Sequence, residues 1–534
     1  LLWIEGENMI KKWEYCEADE EKVRETMRKN DISELVAKIL LNRGIEEYEK
    51  IQKFLHPKID DLNDPFLLND IEIAVNRIIE ANEKKEKVTV YGDYDVDGIT
   101  SIAVLKKFLT ELGMNVEYYL PSRLEEGYGL NNEALKKIHD RGTDLIITVD
   151  CGISAYDEIE YAKSLEMEVI VTDHHECPEK MPDTIAVIDP KRKDNTYPFN
   201  SLAGVGVTFK LIQAISLRLG LDRKRYLKYL DIVCLGTVAD IVPLIGENRV
   251  IVKFGLMLIK ETRNVGLRAL IKVSGYTKID SGLISFGIAP RMNACGRMGK
   301  ADLALELLLT DDYEKAEKIA LELNEINRER QEVEKRIMDE AVKIIEEQKL
   351  YENKVIVVGN ENWHHGVIGI VASKITEMYY RPSILICFEG EEGKGSGRSI
   401  EGFDLHKALS SCSKDLLKFG GHEMAIGLTM KKDEFENFRK DINDYAKENM
   451  PEENIPVIKA DSYINSENIS FEKINELEIL EPYGEANPMP MFIYKNIKVD
   501  GIRALSNNKH LKLLLKDRSN LYDAIAFNMG DKQY

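Results

Sequence analysis

Val88-Thr89-Val90-Tyr91-Gly92-Asp93-Tyr94-Asp95-Val96-Asp97-Gly98-Ile99-Thr100-Ser101 is the stretch on which the reading of this chain turns. Val88 to Tyr91 favours a β-strand leaving a core. Carboxylates follow at every second position, 93, 95 and 97, then a glycine, and the apolar spacing from Ile102 to Leu109 predicts a helix. Carboxylates this close repel one another and resist ionisation unless a cation joins them. The stretch reads as a divalent-metal site, with a solvated acidic turn as the plain alternative.

Calcium is the obvious competitor, because Asp93, Asp95, Asp97 and Gly98 fit the first half of an EF-hand loop. That loop needs a bidentate Glu at its twelfth position, and here the position is Val104. A strand also enters the loop where an EF-hand has a helix. Calcium is set aside.

Working outward, strands and helices alternate from Val88 to about residue 240, which predicts a mostly parallel sheet covered on both faces. Leu145–Val149 ends at Asp150, Val169–Thr172 at Asp173-His174-His175, and Ile185–Ile188 at Asp189. Ligands of open α/β sheets sit outside the carboxyl ends of the strands, where these polar residues fall. Each has a bland reading alone: Asp150 as a helix cap, His174 and His175 as loop histidines. Asp240 lies in the otherwise apolar run Gly236-Thr237-Val238-Ala239-Asp240-Ile241-Val242-Pro243, where a lone acid is expensive unless paired or metal-bound. One binuclear site explains them together.

The totals agree with a multidomain globular protein. The 534 residues exceed one ordinary core, 44% are hydrophobic and 31% charged. A net charge of −20 argues against nucleic-acid binding over the whole surface, though not against a local basic groove. The cysteines at 16, 151, 177, 234, 295, 387 and 412 form no CxxC pair, which points to reduced thiols in a cytosolic protein. No apolar run is long enough to span a bilayer, and no secretory pattern opens the chain. Met9-Ile10-Lys11-Lys12 looks a more natural beginning than Leu1-Leu2-Trp3, so residues 1–8 are expected to be upstream read-through.

Gly92-Asp93-Tyr94-Asp95-Val96-Asp97-Gly98, Thr148-Val149-Asp150-Cys151-Gly152, Asp173-His174-His175 and Val238-Ala239-Asp240 resemble the ordered motifs of the DHH phosphoesterase superfamily. Within it the chain is most similar to the RecJ-type single-stranded-DNA exonucleases. The resemblance implies two ions, Mn²⁺ or Mg²⁺, which carboxylates and imidazole suit better than thiolate-seeking metals. It places Asp95 and Asp150 on one ion and Asp97, Asp150, His174 and Asp240 on the other, with His175 at the phosphate. Other superfamily members carry a histidine four residues before the acid that corresponds to Asp95. Here that position is Tyr91, so Asp93 or water is left to complete the first ion's shell.

The same resemblance assigns phosphate contacts to Arg123, in Pro121-Ser122-Arg123, and to Arg291 and Arg297, in Ala289-Pro290-Arg291-Met292-Asn293-Ala294-Cys295-Gly296-Arg297. A salt bridge from Arg123 to Glu125 or Glu126 is the alternative for that residue. Ala203-Gly204-Val205-Gly206-Val207 lacks the full GxGxxG pattern and more simply lets a helix approach the sheet; no Walker A element occurs. From about 312 to 348 a helix carries Ala316, Ile319, Ala320, Leu323, Ile326, Val333 and Ile337 on one face, a spacer or, despite the break at Arg330, a coiled coil.

Residues 353–450 read as a second α/β unit with a strand at Lys354–Val358 and a helix at Val367–Ile375. His364-His365 has no acid cluster beside it, so a hydrogen-bonded or substrate-facing role is expected rather than a second metal. Gly395-Ser396-Gly397-Arg398-Ser399 and Phe419-Gly420-Gly421-His422 resemble the two motifs of the DHHA1 domain. That likeness gives Ser396, Arg398, Gly420, Gly421 and His422 a substrate-binding role, with the glycines letting backbone amides approach an anion. Strands at Met491–Tyr494, Leu511–Leu515 and Asp523–Phe527 resemble the oligonucleotide-binding (OB) barrel of RecJ-type enzymes, here expected to be incomplete. Lys509-His510-Leu511-Lys512 is either part of its strand-binding surface or a solvated edge.

The expected fold class is α/β, with a parallel-sheet DHH domain, a long connecting helix, a second α/β DHHA1 domain and a C-terminal OB-like β-barrel. The expected divisions are 1–82 N-terminal helical segment, 83–311 DHH catalytic domain, 312–350 connecting helix, 351–452 DHHA1 domain and 453–534 OB-like domain. By resemblance the chain is a monomeric, cytoplasmic, metal-dependent 5′-to-3′ exonuclease of single-stranded DNA in repair and recombination. A helicase and a single-strand-binding protein are its expected partners, and no membrane is involved. Two alternatives stand beside it: a DHH–DHHA1 phosphodiesterase of short oligoribonucleotides or cyclic dinucleotides, and an inactive strand-binding scaffold.

Overall fold

Apolar strands with acids at their carboxyl ends assemble as one sheet in the computed structural model, which describes residues 11–15, 17–123, 126–127, 129–451, 455–518 and 520–533. The proposed read-through at residues 1–8, Met9, Cys16 and the Arg123–Glu125 salt bridge lie outside the described residues. Contacts divide the chain into two units, Gln52–Val333 with Pro482–Pro488, and Leu1–Ile51 with Glu334–Glu481 and Met489–Tyr534.

In the first unit, β1 (Lys87–Gly92), β2 (Asn115–Tyr119), β3 (Leu145–Val149), β4 (Glu168–Thr172) and β5 (Ala186–Ile188) form a parallel sheet in the order β2-β1-β3-β4-β5. Every residue of β3 is buried, as expected of a strand covered on both faces. Ile99, Ile102, Leu105 and Phe108 of helix α1 (Val96–Glu111) fill the core on one face. Leu135, Ile138, Ile159, Val169 and Val171 fill the other. Strand order reverses between β1 and β3, the place where α/β sheets open a crevice.

Helix α1 begins at Val96, not at Ile102 as the apolar spacing predicts. Asp95 is its N-cap: one carboxylate oxygen accepts the N–H groups of Asp97 at 2.9 Å and Gly98 at 3.1 Å. Capping pulls Asp97 out of the loop and into the first helical turn. Two further buried helices, α2 (Gly204–Arg218) and α3 (Leu230–Ala239), pack beside α1. Helix α4 (Ala289–Arg297) follows a π-helical stretch, Leu283–Ile288.

The long helix α5 spans Tyr313–Glu347. Ala316, Ile319, Ala320, Leu323 and Ile326 join the core of the first unit, and Ile337, Ala341 and Ile345 are buried further along. Its apolar stripe is thereby used within the chain, which leaves the coiled-coil alternative without its seam. Arg330 is buried and donates to Asn327 Oδ1 at 2.6 Å.

In the second unit, β6 (Ile356–Asn360), β7 (Ser383–Glu389), β8 (Glu392–Arg398), β9 (Leu416–Gly421) and β10 (Ala425–Lys431) run in the order β9-β10-β8-β7-β6. Only β6 and β7 are parallel, and α6 (His365–Tyr379) supplies their crossover. His364 caps α6 through Nδ1, which accepts the Gly366 N–H at 3.1 Å. The segment expected to be helical from the start contains a strand as well, Lys12–Tyr15, paired parallel with Val457–Ala460. Lys498–Leu505, His510–Asp517 and Asn520–Ala526 make a three-stranded antiparallel sheet. On it Lys512 pairs with Asp523 at 3.2 Å.

Candidate metal centre

The acids that alternate in sequence converge with residues from other strand ends. Asp93 and Asp95 follow β1, Asp150 follows β3, His174 follows β4, and Asp240 ends α3. His174 Nε2 lies 3.1 Å from Asp150 Oδ1, 3.6 Å from Asp240 Oδ2 and 3.8 Å from Asp97 Oδ2. Asp93, Asp95 and Asp150 form one group of donor atoms within 4.8 Å of one another, and Asp97, His174 and Asp240 form a second. Asp150, His174 and His175 satisfy the same limit. Asp150 sits in the left-handed backbone region, φ 58°, which turns its carboxylate between the groups.

Helix α2 completes the cradle. Asp97 accepts the N–H of Gly204 through Oδ2 at 2.6 Å and that of Val205 through Oδ1 at 2.8 Å. A helix N-terminus favours such an anion through its free amides. A Cβ on Gly204 would stand 2.5 Å from Asp150 Oδ1, and one on Gly236 would stand 2.7 Å from Asp97 Oδ1. These glycines are therefore parts of the site, a role the sequence pattern does not reveal. The Gly204 motif implies helix–sheet approach; the structure adds what the approach accomplishes.

Electrostatics ask for a cation here. Burial, then the charge of Asp95, pushes Asp97 up to about 7. Burial, then the charge of Asp97, pushes Asp240 up to about 8 and Asp150 well above the carboxylate range. Asp93 is likewise raised, by burial and then Asp95. Burial, then His175, pushes His174 down to about 3, so its imidazole is neutral with a lone pair to offer. His174 Nε2 and Asp93 Oδ1 are both buried without a hydrogen-bond partner. Leaving such atoms unsatisfied costs on the order of 1–3 kcal/mol each. Oxygen donors with one imidazole fit Mn²⁺ or Mg²⁺.

Asp173, beside them, does another job that the sequence reading does not assign. It is 1% exposed, accepts the N–H groups of His174 at 2.7 Å and Ile153 at 2.9 Å, and lies 2.7 Å from His175 Nδ1. Burial opposes charge on His175, yet the bond to Asp173 and its charge hold that imidazole up to about 9. His175 is half-buried, a cation able to meet an anion.

Tyr91 does not enter the metal centre. Its ring stacks on Tyr119 at 5.3 Å, and its hydroxyl donates to the Gly129 carbonyl at 2.8 Å. Asp93, not Tyr91, thus stands with Asp95 and Asp150. The segment between Tyr119 and Gly129 carries Arg123, whose guanidinium lies over the Tyr94 ring at 5.2 Å. Glu126 is engaged elsewhere: it accepts the Tyr119 hydroxyl at 2.7 Å and the Ser122 N–H at 2.9 Å, and pairs with Lys137 at 3.1 Å.

Helix α4 packs on the acid turn, with Val96 N–H donating to Asn293 Oδ1 at 3.2 Å and Gly296 against the Tyr94 carbonyl. Arg297, at the end of α4, lies close enough to Tyr94 to act on it electrostatically. Arg291 is oriented by its Nε, which donates to Asn324 Oδ1 at 3.0 Å, and its Nη1, which donates to the Gly287 carbonyl at 2.6 Å.

In the second unit, Arg398 of β8 pairs with Ala425, and Gly397 shares its β10 partner, Ile426, with Gly421. Ser396, Arg398, Gly420, Gly421 and His422 therefore gather at one end of that sheet. The glycines between them have a different reason than anion approach. A Cβ on Gly395 would meet Leu428 at 2.9 Å and one on Gly397 would meet Ile426 at 2.7 Å, so they admit the core. Ser396 and Arg398 face α6, where Gly369 makes room for both.

Family models match this architecture in three places: the DHH family, N-terminal domain, over residues 87–237, the DHHA1 domain over 352–448 and the RecJ OB domain over 460–534. A curated single-stranded-DNA-specific exonuclease RecJ of Bacillus subtilis is 41% identical over 98% of this chain, which spans 66% of that protein. Its counterpart from Haemophilus influenzae is 35% identical over 94% of this chain and 90% of its own length. The crystal structure of RecJ in complex with Mn²⁺ from Thermus thermophilus superposes with a TM-score of 0.84 at 33% identity, covering 96% of this chain and 74% of that one. Among the described residues no helix is long and apolar enough to cross a membrane. Likeness of this degree, over nearly the whole sequence and with all three domain types, makes the chain a member of the RecJ family.

Proposed function

We propose that this chain is a metal-dependent exonuclease that releases mononucleotides from the 5′ end of single-stranded DNA in repair and recombination. The convergence of five aspartates and His174 in two donor groups, joined where His174 Nε2 lies 3.1 Å from Asp150 Oδ1, carries this reading. Asp95, Asp150 and Asp93 would hold one divalent ion, Mn²⁺ or Mg²⁺, and Asp97, Asp150, His174 and Asp240 the other. Two such ions, when bound, would supply Lewis acidity toward a phosphodiester and ease deprotonation of water.

The chain's own residues do the rest. Asp97 is held rigid by the amides of α2, and Asp95 by its capping bonds to α1. Protonated His175, oriented by Asp173, donates to a phosphoryl oxygen and stabilises charge as it develops there. Arg123, Arg291 and Arg297 bind strand phosphates. Ser396, Arg398, Gly420, Gly421 and His422 receive the strand end. The working domain divisions are 1–82, 83–311, 312–350, 351–452 and 453–534. A monomer in the cytoplasm, working with a helicase and a single-strand-binding protein, completes the reading.

The test is release of product from 5′- and 3′-labelled DNA and RNA strands with Mn²⁺ or Mg²⁺. The expected result is early release of a labelled mononucleotide from 5′-labelled DNA. Early release from the 3′ label would overturn the direction. Preference for short oligoribonucleotides would favour the DHH–DHHA1 phosphodiesterase, and binding without hydrolysis the inactive scaffold.

A further inference from the structure

The residue after Asp240 is placed against its own chemistry. Ile241 has a φ of 58°, and among the described residues it is the only β-branched one in the left-handed region. It follows Asp240, the C-cap of α3, its N–H donating to the Val238 carbonyl at 3.3 Å. Glycine is the ordinary residue at such a helix end, because a Cβ is crowded there. This chain follows that habit elsewhere: Gly275 closes Val265–Ser274 with φ 74°.

Isoleucine gains little from burial to offset the strain, since the residue is 69% exposed. Neither backbone nor core favours it, so the side chain needs another reason. Its neighbour in sequence supplies one. Asp240 Oδ2 lies 3.6 Å from His174 Nε2, so Ile241 stands one residue from the metal donors. A nucleotide whose phosphate is held there brings an apolar sugar and base face to the same place, and the ionic groups around the centre cannot match that face.

We propose that Ile241 is a substrate contact, packing against the sugar and base of the nucleotide whose phosphate lies at the metal centre. The contact rests on the exonuclease reading. It would place the terminal nucleotide without regard to sequence, as an apolar surface does for any base.

Ile241→Gly and Ile241→Asn test it in the full chain, because both residues accept a positive φ. The Tm of each is expected to equal or exceed that of the parent. Affinity for a 5′-phosphorylated deoxyoligonucleotide, read by fluorescence anisotropy, is expected to fall about tenfold, the scale of one lost apolar side-chain contact. KM should rise in parallel while kcat changes far less. Unchanged affinity would overturn the proposal. So would a lower Tm in both variants, which would make Ile241 a packing residue. A parent that binds the strand but releases no nucleotide would instead sink the exonuclease reading, leaving the contact to be judged on affinity.

Discussion

Gly204 approaches Asp150 so closely that a Cβ at position 204 would lie 2.5 Å from its Oδ1 and 2.6 Å from its own Cβ. The same residue donates its N–H to Asp97 at 2.6 Å. One backbone position thus sets one carboxylate in each donor group. Gly204→Ala is expected to displace Asp150 and weaken Mn²⁺ binding by about tenfold or more, within the range seen for residues that orient metal ligands. Titration calorimetry with the circular-dichroism spectrum unchanged would show it; intact Mn²⁺ affinity would remove Gly204 from the site.

Proton linkage at the same acids makes a second prediction. In the metal-free chain Asp97 rises to about 7, Asp240 to about 8 and His175 to about 9. All exceed their unfolded values, so between pH 6.5 and 9 the folded chain holds more protons than the unfolded one. Stability must therefore fall as pH rises, by up to about 1.4 kcal/mol per pH unit for each such proton. His174, lowered to about 3, acts only below its ordinary 6.5 and stays outside this window. Melting in chelator should show Tm declining across the window, and Mg²⁺ should raise Tm more at its upper end. A flat profile in chelator would contradict the assignment.

The segment carrying Arg123 is tied from below by Glu126, which accepts Tyr119, Ser122 and Lys137, and by the Tyr91 hydroxyl on Gly129. Glu126→Ala is expected to mimic Arg123→Ala, raising KM about tenfold and leaving Mn²⁺ affinity alone, an effect the size of one charge-assisted contact. Equal kinetics in Glu126→Ala and the parent would show that Arg123 needs no such support.

Gly397→Ala separates packing from ligand binding in the second unit. The added Cβ would press Ile426 at 2.7 Å and Ile384 at 3.0 Å. Overpacking of this kind destabilises by about 1–3 kcal/mol. The midpoint of denaturant unfolding should fall while hydrolysis well below that midpoint persists. Lost hydrolysis in a fully folded variant would restore the glycine to the binding site.

Strand binding through guanidinium groups should also weaken steeply with salt, since each neutralised phosphate releases counterions. Affinity that barely changes between low and moderate salt would tell against Arg123 and Arg297 as phosphate contacts.

Much of the centre was legible because parallel strands buried on both faces read as apolar runs, and the residue that ends each run is where ligands bind. Asp95, Asp150 and His174 could be found that way, Asp97 by its alternation with Asp93 and Asp95, and Asp240 as a lone acid in an apolar run that folds as the end of α3. The parts that stayed hidden depend on distant partners. Asp97 and Gly204 are 107 residues apart, so no local pattern announces their bond. The early start of α1 is hidden for the opposite reason: Asp95 caps the helix locally, but an acid-rich turn masks the apolar period. Tyr91 looks like a lost ligand in sequence, while alternation along β1 directs it to the other face of the sheet. Gly395 and Gly397 resemble an anion loop, yet β-pairing turns them toward Leu428 and Ile426.

Lys12–Tyr15 hydrogen-bonds in parallel with Val457–Ala460, strands far apart in the sequence. During translation the first of these strands leaves the ribosome long before its partner exists, and an unpaired edge must wait in the open. Gln52–Val333 holds its sheet and core within a nearly continuous stretch and can form first. The order of synthesis thus favours folding the centre early and closing the discontinuous unit late, and truncation before residue 457 should leave the early strand exposed to aggregation.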